Sequence, residues 1–506
     1  MPENAGPLLN DRLTKDAAMT EVTDYDPYAL PPDEVHEPPV SVFAALRKIG
    51  PGIILAGTIV GSGELLLTTK FGAEYGFVFL WLILFSCVIK VFVQTELGRY
   101  AISSGKPTLG ALNELSGPRF GAQWIVWGWL FMMLTTILQL GAMTGTVGQS
   151  LNLAFPQVST TFADQLSETV PLIGLTIRER PEYPWAVFTC AVAILLLWSG
   201  SYRRIETITT FLVVSLTLVT VTATCALPMT KFPIPWGEVA NGLTFKMPAA
   251  GIVSAFAVFG ITGVGAAELF YYPYWCLEKG YARYAGRRED TPEWAARARG
   301  WIRVMYLDAW VSMVVFTVST VSFYFMGATV LHAQKLVPEG KDMILTLSRM
   351  FVDSIGPWTQ IAFLIGAGAV LFKTLYLSCA GNARLFADFL SLSGAVRYKA
   401  ATQRSRVIHW VSLSIPVIAL ALFFLLGEPA TMVAIGGFAQ AMMLPIISGS
   451  AIYFRYRKLD RRITPSLLID IMLWIAFVSI TLVACWAMYD RVLKLMVALK
   501  ISVKPA

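Results

Sequence analysis

Long stretches of this chain contain no charged residue, and this limits the folds that it can adopt more than any other feature. Four of them, at 183–202, 207–230, 309–331 and 354–372, are long enough to cross a bilayer, which takes about 20 residues of α-helix. A segment that lies in lipid has to satisfy its own backbone hydrogen bonds, so such segments become helices. We therefore predict an all-α polytopic membrane protein.

The composition supports this prediction along the whole chain. Of its 506 residues, 56% are hydrophobic and only 14% are charged, and the mean hydropathy is +0.60. These values are far more apolar than those of an average soluble domain. About eleven spans are predicted, near 50–70, 77–102, 122–154, 184–200, 206–228, 250–276, 301–331, 350–379, 407–426, 430–454 and 465–488.

Lysine and arginine cluster in every second connection between these spans. The clusters lie at 99–119, 203–204, 279–299, 384–406 and 455–462. Positively charged loops remain in the cytoplasm. We therefore expect an integral protein of the plasma (inner) membrane with a cytoplasmic N-terminus. Because the basic residues lie at membrane boundaries, they do not indicate nucleic-acid binding.

A short internal repeat links the first and sixth spans. TIVGSGELL at 58–66 aligns without gaps on TGVGAAELF at 262–270, with identical Thr, Val, Gly, Glu and Leu residues. An odd number of crossings separates the two copies, so they enter the membrane from opposite sides. This arrangement predicts a five-plus-five inverted repeat in which helices one and six are broken near the midplane.

The repeat divides the chain into four parts. Residues 1–48, which are acidic and rich in proline, are expected to form a disordered cytoplasmic tail. The first five-helix repeat covers 49–228, and the second covers 229–455. Residues 456–506 hold span eleven and a short extracytoplasmic tail.

The repeated glutamates, Glu64 and Glu268, are the candidate functional groups. A carboxylate inside the membrane is expensive and points to a functional site. We predict that both lie at the repeat interface as metal ligands. The other predicted binding residues surround them in the two repeats: Thr58, Gly61, Ser62, Gly63, Thr262, Gly265 and Ala266. The alternative is that the glycines only allow close helix packing and that the glutamates are neutralised by hydrogen bonds.

Three other charged residues in the predicted spans have candidate roles. Lys90 in span two and Lys373 in span eight are candidates for coupling or charge compensation, with Glu64 or Glu268 as possible partners of Lys373. A static structural role is the alternative for both lysines. Asp308 is expected to pair with Arg303.

The stretch GPGIILAGTIVGSGELLLTTKFGAEYGF, from Gly50 to Phe77, resembles the first span of the natural resistance-associated macrophage protein (Nramp) family of proton-coupled divalent metal transporters. Agreement extends from Gly50 to about Arg457 and includes 200–206 and Leu444-Pro445. The resemblance implies the leucine-transporter-type fold and transport of a cation, with no cofactor besides the transported ion.

The candidate site differs from the family pattern. Residues 61–64, Gly-Ser-Gly-Glu, stand where the family has Asp-Pro-Gly-Asn, and Val264, Gly265 and Ala266 stand near its Met-Pro-His. Gln139 and Ala142 replace acids of the family's proton pathway. The site is more similar to that of a magnesium-transporting branch. Oxygen ligands suit Mg²⁺, Mn²⁺ or Ca²⁺.

Two other function classes remain open from the sequence. The Gly-Ser-Gly segment and the aromatic residues Tyr271, Tyr272, Tyr274 and Trp275 are compatible with a transporter of a small organic or anionic solute. A receptor or scaffold could use the same fold. An enzyme is not expected, because the chain has no catalytic motif. The expected partners are the lipid bilayer and a small ion or molecule. The oligomeric state is left open, a monomer included.

Overall fold

Helices occupy all eleven predicted spans in the computed structural model, which describes residues 30, 34–169, 171–198, 202–339, 342–353 and 356–498. Within these residues, eight helices are long and apolar enough to cross a membrane, and span one becomes a ninth when its two halves are counted together. Spans four and five contribute shorter apolar helices. The prediction of an all-α polytopic fold is confirmed.

Nine of the spans are formed by helices without a central break. In chain order from span two, omitting span six, they are Leu80–Ser104, Trp124–Ala154, Tyr183–Leu197, Tyr202–Ala226, Pro292–Met326 with its π-helical extension Gly327–Leu331, Thr359–Leu392, Ala401–Leu426, Pro429–Arg457 and Leu467–Ala498. Spans one and six are interrupted. Their segments are Pro51–Ile59, Ser62–Thr68 and Thr69–Tyr75 for span one, and Ile252–Ile261 and Ala266–Lys279 for span six.

Short elements join the spans. The helical ones are Val42–Leu46, Thr108–Asn113, Pro156–Thr169, Pro171–Glu179, Leu227–Met229, Trp236–Asn241, Ala249–Gly251, Tyr281–Ala285, Met343–Val352 and Arg461–Ile463. Two strands of two residues each, Arg119–Phe120 and Ala122–Gln123, pair antiparallel ahead of span three.

The two interrupted spans lie inside a shell of continuous ones. Span three packs against spans eight, nine and ten, and span two packs against span seven. The first half of span one contacts spans five, seven and eight as well as the second half of span six. Both breaks are therefore surrounded by protein, which is the condition under which non-helical backbone is tolerated at membrane depth.

Part of the predicted tail, 1–48, is ordered. Residues 34–48 lie across the ends of spans six and seven, where the main-chain N–H of His36 donates to the carbonyl of Tyr284 at 3.0 Å. The indole of Trp301 donates to the carbonyl of His36 at 2.9 Å. The expectation of disorder is wrong for 34–48, because span ends supply partners that composition does not reveal. Residues 1–29 and 31–33 lie outside the described part of the chain.

Asp308 has a different role from the predicted pairing with Arg303. Its carboxylate, fully buried in span seven, accepts the main-chain N–H of Gly50 at 2.9 Å and that of Gly52 at 2.6 Å. Pro51 between them has no N–H to satisfy. Asp308 is thus the N-terminal cap of span one, and it supplies negative charge at the positive end of that helix.

We predict that Asp308→Ala lowers the stability of the protein by about 3 kcal/mol, because two buried N–H groups lose a charged acceptor. Asp308→Asn keeps one acceptor oxygen, so its loss should be about half as large. The apparent melting temperature in detergent measures both effects.

Asp164→Ala is the control for that experiment, since Asp164 forms an exposed ion pair with Arg178 at 2.8 Å. Exposed pairs contribute less than about 1 kcal/mol. Equal melting temperatures for Asp308→Ala and Asp164→Ala would show that the cap is not needed.

Candidate functional site

The two broken spans restart in the same way, and the repeated glutamates occupy equivalent places. Gly61 precedes the second half of span one, and Gly265 precedes the second half of span six. Counting from these caps, Glu64 and Glu268 are each the third residue of the new helix. The prediction of broken helices one and six is confirmed.

Local electrostatics explains why the two glutamates stand in the first turn of a helix. The first N–H groups of a helix lack partners and carry partial positive charge, so a carboxylate in the first turn is stabilised. The break in span six also needs a residue that tolerates positive φ: Gly263 has a φ of 65°, and an added Cβ there would lie 2.8 Å from the Cα of Cys87.

Glu268 lines a small cavity, the central cavity, which is bounded by the two broken spans and by spans three, eight and ten. The cavity volume is about 20 Å³, which is room for one water molecule or one small ion. Oxygen-bearing side chains from spans one, three, six, eight and ten form much of its wall: Thr58, Thr136, Gln139, Glu268, Thr374, Ser378 and Gln440. All of these residues are buried.

Two glutamines extend the polar side of the cavity. Gln440 Oε1 accepts the main-chain N–H of Ala267 at 3.3 Å, and Gln440 Nε2 donates to Gln139 Oε1 at 3.1 Å. A methyl group at Gly265 would lie 2.5 Å from Glu268 Oε2 and 2.7 Å from Gln440 Oε1. The glycine thus leaves space beside two side-chain oxygens. Within the described residues, Glu268 Oε2 has no hydrogen-bond donor.

Glu64 is buried but does not line this cavity. Its Oε1 accepts the main-chain N–H of Gly263 at 3.3 Å and the hydroxyl of Thr320 at 3.2 Å. Glu64 therefore connects span one to the break in span six and to span seven. The two glutamates flank the breaks as the repeat predicted, but only Glu268 lines the cavity.

The two membrane lysines contact backbone carbonyls. Lys90 Nζ lies 2.6 Å from the carbonyl oxygens of both Phe259 and Thr262. Lys373 Nζ lies 2.8 Å from the carbonyl oxygen of Val60. These carbonyls end the first halves of spans six and one. Neither ammonium forms an ion pair with a glutamate among the described contacts, so the hydrogen bond of Lys373 goes to the end of a helix, and its pairing with Glu64 or Glu268 stays a prediction.

The remaining predicted residues divide between the cavity and its surroundings. Thr58 and Gly63 line the cavity, and Thr262 shares a hydrogen bond of 3.1 Å between its hydroxyl and that of Thr68. Ala266 is buried but is not part of the wall. The side chain of Ser62 lies outside the described part of the structure.

Gly61, which is one of the predicted binding residues, lies against span eight. A Cβ at Gly61 would lie 2.0 Å from Thr374 Oγ1. The hydroxyl of Thr374 also donates to the carbonyl of Gly57 at 3.4 Å. Span eight therefore contacts the break in span one through two neighbouring side chains, Lys373 and Thr374.

Sequence reasoning missed several wall residues, among them Gln440, Met143 and Ser378. Gln440 is a polar residue in an apolar stretch, AIGGFAQAMMLP, and that contrast is a signal which could have found it. Met143 and Ser378 gave no signal, because thioethers and hydroxyls are common in membrane helices.

The aromatic residues after Glu268 pack within the protein. Tyr271, Tyr272, Tyr274 and Trp275 are all buried, and none of them lines the cavity. The hydroxyl of Tyr272 donates to Asp308 at 3.3 Å. Their burial explains the sequence signal without an organic ligand.

The donor set determines which ions the cavity suits. Within the described residues, no three His, Cys, Asp or Glu side chains lie close enough together to hold a metal ion. A cation beside Glu268 would therefore have one carboxylate and several neutral oxygens as ligands, with Met143 as the one thioether in the wall. Such a set is hard, oxygen-rich and low in charge.

The amino-acid sequence matches one family of known proteins. The model of natural resistance-associated macrophage protein-like (Nramp) proteins matches residues 52–490. A solved mutant of the Eremococcus coleocola manganese transporter is similar at 16% identity, with 89% of this chain and 88% of that chain covered and a TM-score of 0.58. No curated protein sequence matches the chain.

Two further solved structures have the same fold. MhsT in complex with L-phenylalanine is 15% identical over 89% of this chain and 100% of that chain, with a TM-score of 0.52. MHP1, a nucleobase-cation-symport-1 family transporter in a closed conformation, is 15% identical over 92% and 97%, with a TM-score of 0.52. These likenesses confirm the predicted leucine-transporter-type fold. Because the family model covers most of the chain, this protein belongs to the Nramp-like family of membrane transporters.

Proposed function

We propose that this protein is a secondary transporter that moves a hard divalent cation by alternating access, with Mg²⁺, Mn²⁺ and Ca²⁺ as the candidate substrates. It would work in the plasma (inner) membrane with its N-terminus in the cytoplasm, as the distribution of basic residues indicates. It would need no cofactor.

The size of the central cavity is the observation that carries the proposal. At about 20 Å³, the cavity has room for one ion or water, whereas pockets for drug-sized ligands measure about 300 Å³ or more. An organic solute would have to open the site widely before it could bind. The cavity therefore favours a small ion over the organic or anionic solute that the sequence left open.

The chemistry of the cavity wall limits the kinds of ion that could bind there. Carboxylate, amide and hydroxyl oxygens suit Mg²⁺, Ca²⁺ and Mn²⁺, whereas thioether and thiolate ligands favour softer ions such as Cu(I). Met143 is the single soft group in the wall, against seven oxygen-bearing side chains. With Glu268 as the one charged ligand, the bound ion would be expected to retain part of its hydration.

Both repeats supply residues to the cavity wall, and this is consistent with transport by alternating access. Thr58 in span one and Gln139 in span three come from the first repeat, while Glu268, Ser378 and Gln440 come from the second. In transporters of this type, one repeat moves against the other around a fixed central site. Movement between the two repeats would therefore open the cavity to one side at a time.

We expect Glu268→Gln to abolish saturable binding of Mg²⁺, Mn²⁺ and Ca²⁺, because it removes the only carboxylate among the described residues of the cavity wall. Isothermal titration of the purified protein measures this. Met143→Leu is the matched control: it keeps the volume of a wall residue and removes the sulfur, so affinity for hard cations should change little.

Two results of that titration would contradict the proposal. One is the absence of binding to the folded wild-type protein, which would return the organic or anionic solute to first place. The other is loss of binding in Met143→Leu with Glu268→Gln unaffected, which would indicate a soft metal.

Glu64→Gln should weaken binding by about 10- to 100-fold without abolishing it, as expected for a residue that positions a ligand-bearing helix. The amide oxygen can still accept from Gly263 and Thr320. Glu74→Gln is the control, since Glu74 lies near the end of span one and contacts Lys70 at 3.5 Å. A complete loss of binding in Glu64→Gln, equal to that in Glu268→Gln, would instead make Glu64 a direct ligand.

Gly265→Ala should abolish cation binding, because its methyl group would displace the oxygens of Glu268 and Gln440. Gly366→Ala is the matched control: Gly366 also lies in a membrane helix, and an added Cβ there meets no atom within 4 Å. Cation-dependent protection against heat, measured for both variants, tests this prediction. If cations protect Gly265→Ala against heat as well as they protect the wild type, the space beside Gly265 is not part of the binding site.

A further inference from the structure

Both helix breaks end in carbonyl groups that contact a lysine. The ammonium groups of Lys90 and Lys373 are buried, with the residues 0% and 1% exposed. Lys90 reaches its two carbonyls from span two, and Lys373 reaches its carbonyl from span eight. Two different spans thus supply the same kind of contact to the two halves of the inverted repeat.

These carbonyls are places where a cation is favoured. The last four carbonyls of a helix lack N–H partners, and the C-terminal end carries partial negative charge. Broken helices in transporters use such carbonyls to coordinate coupling ions such as Na⁺. An ammonium at 2.6 to 2.8 Å supplies one positive charge to the same oxygens.

Neighbouring groups complete the contact at the break in span six. Beside Lys90, the hydroxyl of Ser86 donates to the carbonyl of Thr262 at 2.9 Å, and the ring of Phe259 lies 4.8 Å from the ammonium. An aromatic face stabilises a cation over it. The oxygens that would bind a free cation at this break are therefore already engaged.

Each break also has a glutamate on the side opposite the lysine. Glu64 and Glu268 begin the second halves of the spans, where the helix end is positive, while the lysines contact the negative ends of the first halves. The chain thus carries two acids and two bases around its breaks.

We propose that Lys90 and Lys373 are tethered cations that occupy the monovalent-cation positions at the two helix breaks, so that transport needs no Na⁺ or K⁺ as a co-ion. Removal of one ammonium should then create a binding site for a small monovalent cation at that break. The statement about transport rests on the proposed function, but the new cation site does not.

The test compares the apparent melting temperatures of the full-length wild type and of Lys373→Ala in choline chloride, NaCl and methylammonium chloride at equal ionic strength. The wild type should melt at the same temperature in all three salts. Lys373→Ala should melt several degrees lower in choline and recover at least half of that loss in Na⁺ or methylammonium, with a saturating concentration dependence.

Further variants keep the test decisive. Lys90→Ala repeats it at the other break, and Lys373→Gln retains a neutral donor if the alanine variant does not fold. Lys70→Ala is the control, because Lys70 pairs with Glu339 at 2.6 Å near the end of span one, so its loss should give no cation-specific recovery. Saturable stabilisation of the wild type by Na⁺ would overturn the proposal, as would variants at both breaks that do not recover in any cation.

Failure of the proposed function would be recognised separately. If the wild type binds no divalent cation but Lys373→Ala is stabilised by Na⁺, the tethered-cation inference stands and the substrate proposal fails. If the wild type binds Mn²⁺ and the lysine variants show no cation-specific recovery, the substrate proposal stands and the tethered-cation inference fails.

Discussion

Two helices stop and restart in the middle of this membrane protein, and the need to satisfy their exposed backbone groups determines what surrounds them. Lipid offers no hydrogen bonds, so each free carbonyl and N–H has to find a partner within the protein. Lys90 and Lys373 contact carbonyls at the ends of the first halves. Glu64 and Glu268 stand in the first turns of the second halves. These four charged residues are thus explained first by the breaks themselves.

The central cavity follows from the same breaks. Because span six restarts at Gly265, Glu268 can fold back toward its own helix end, beside Gln440 from span ten. Span one passes close enough to place Thr58 and Gly63 in the opposite part of the wall. Loss of regular helix therefore produces both a space of ionic size and a carboxylate within it, which is the basis of the proposed cation transport.

The sequence predicted the breaks better than it predicted their partners. The duplicated Gly and Glu residues located both interruptions, because a glutamate at membrane depth is rare and its recurrence in the same short motif is easily recognised. The partners of Lys373 and Asp308 were not foreseen, since both bond to backbone groups, and a carbonyl or N–H leaves no mark in the sequence. Gln440 and Met143 enter the cavity from distant spans, so only the packing of those spans reveals them.

Anomalous diffraction from crystals of the wild-type protein soaked in Mn²⁺ would locate the bound cation directly. If the central cavity is the cation site, one anomalous peak is expected there, within bonding distance of Glu268 and the neighbouring amide oxygens, with both lysines still on their carbonyls. A peak at the helix-end carbonyls with a lysine displaced would contradict this expectation, and so would a fully occupied peak bound by Glu64 and not by Glu268.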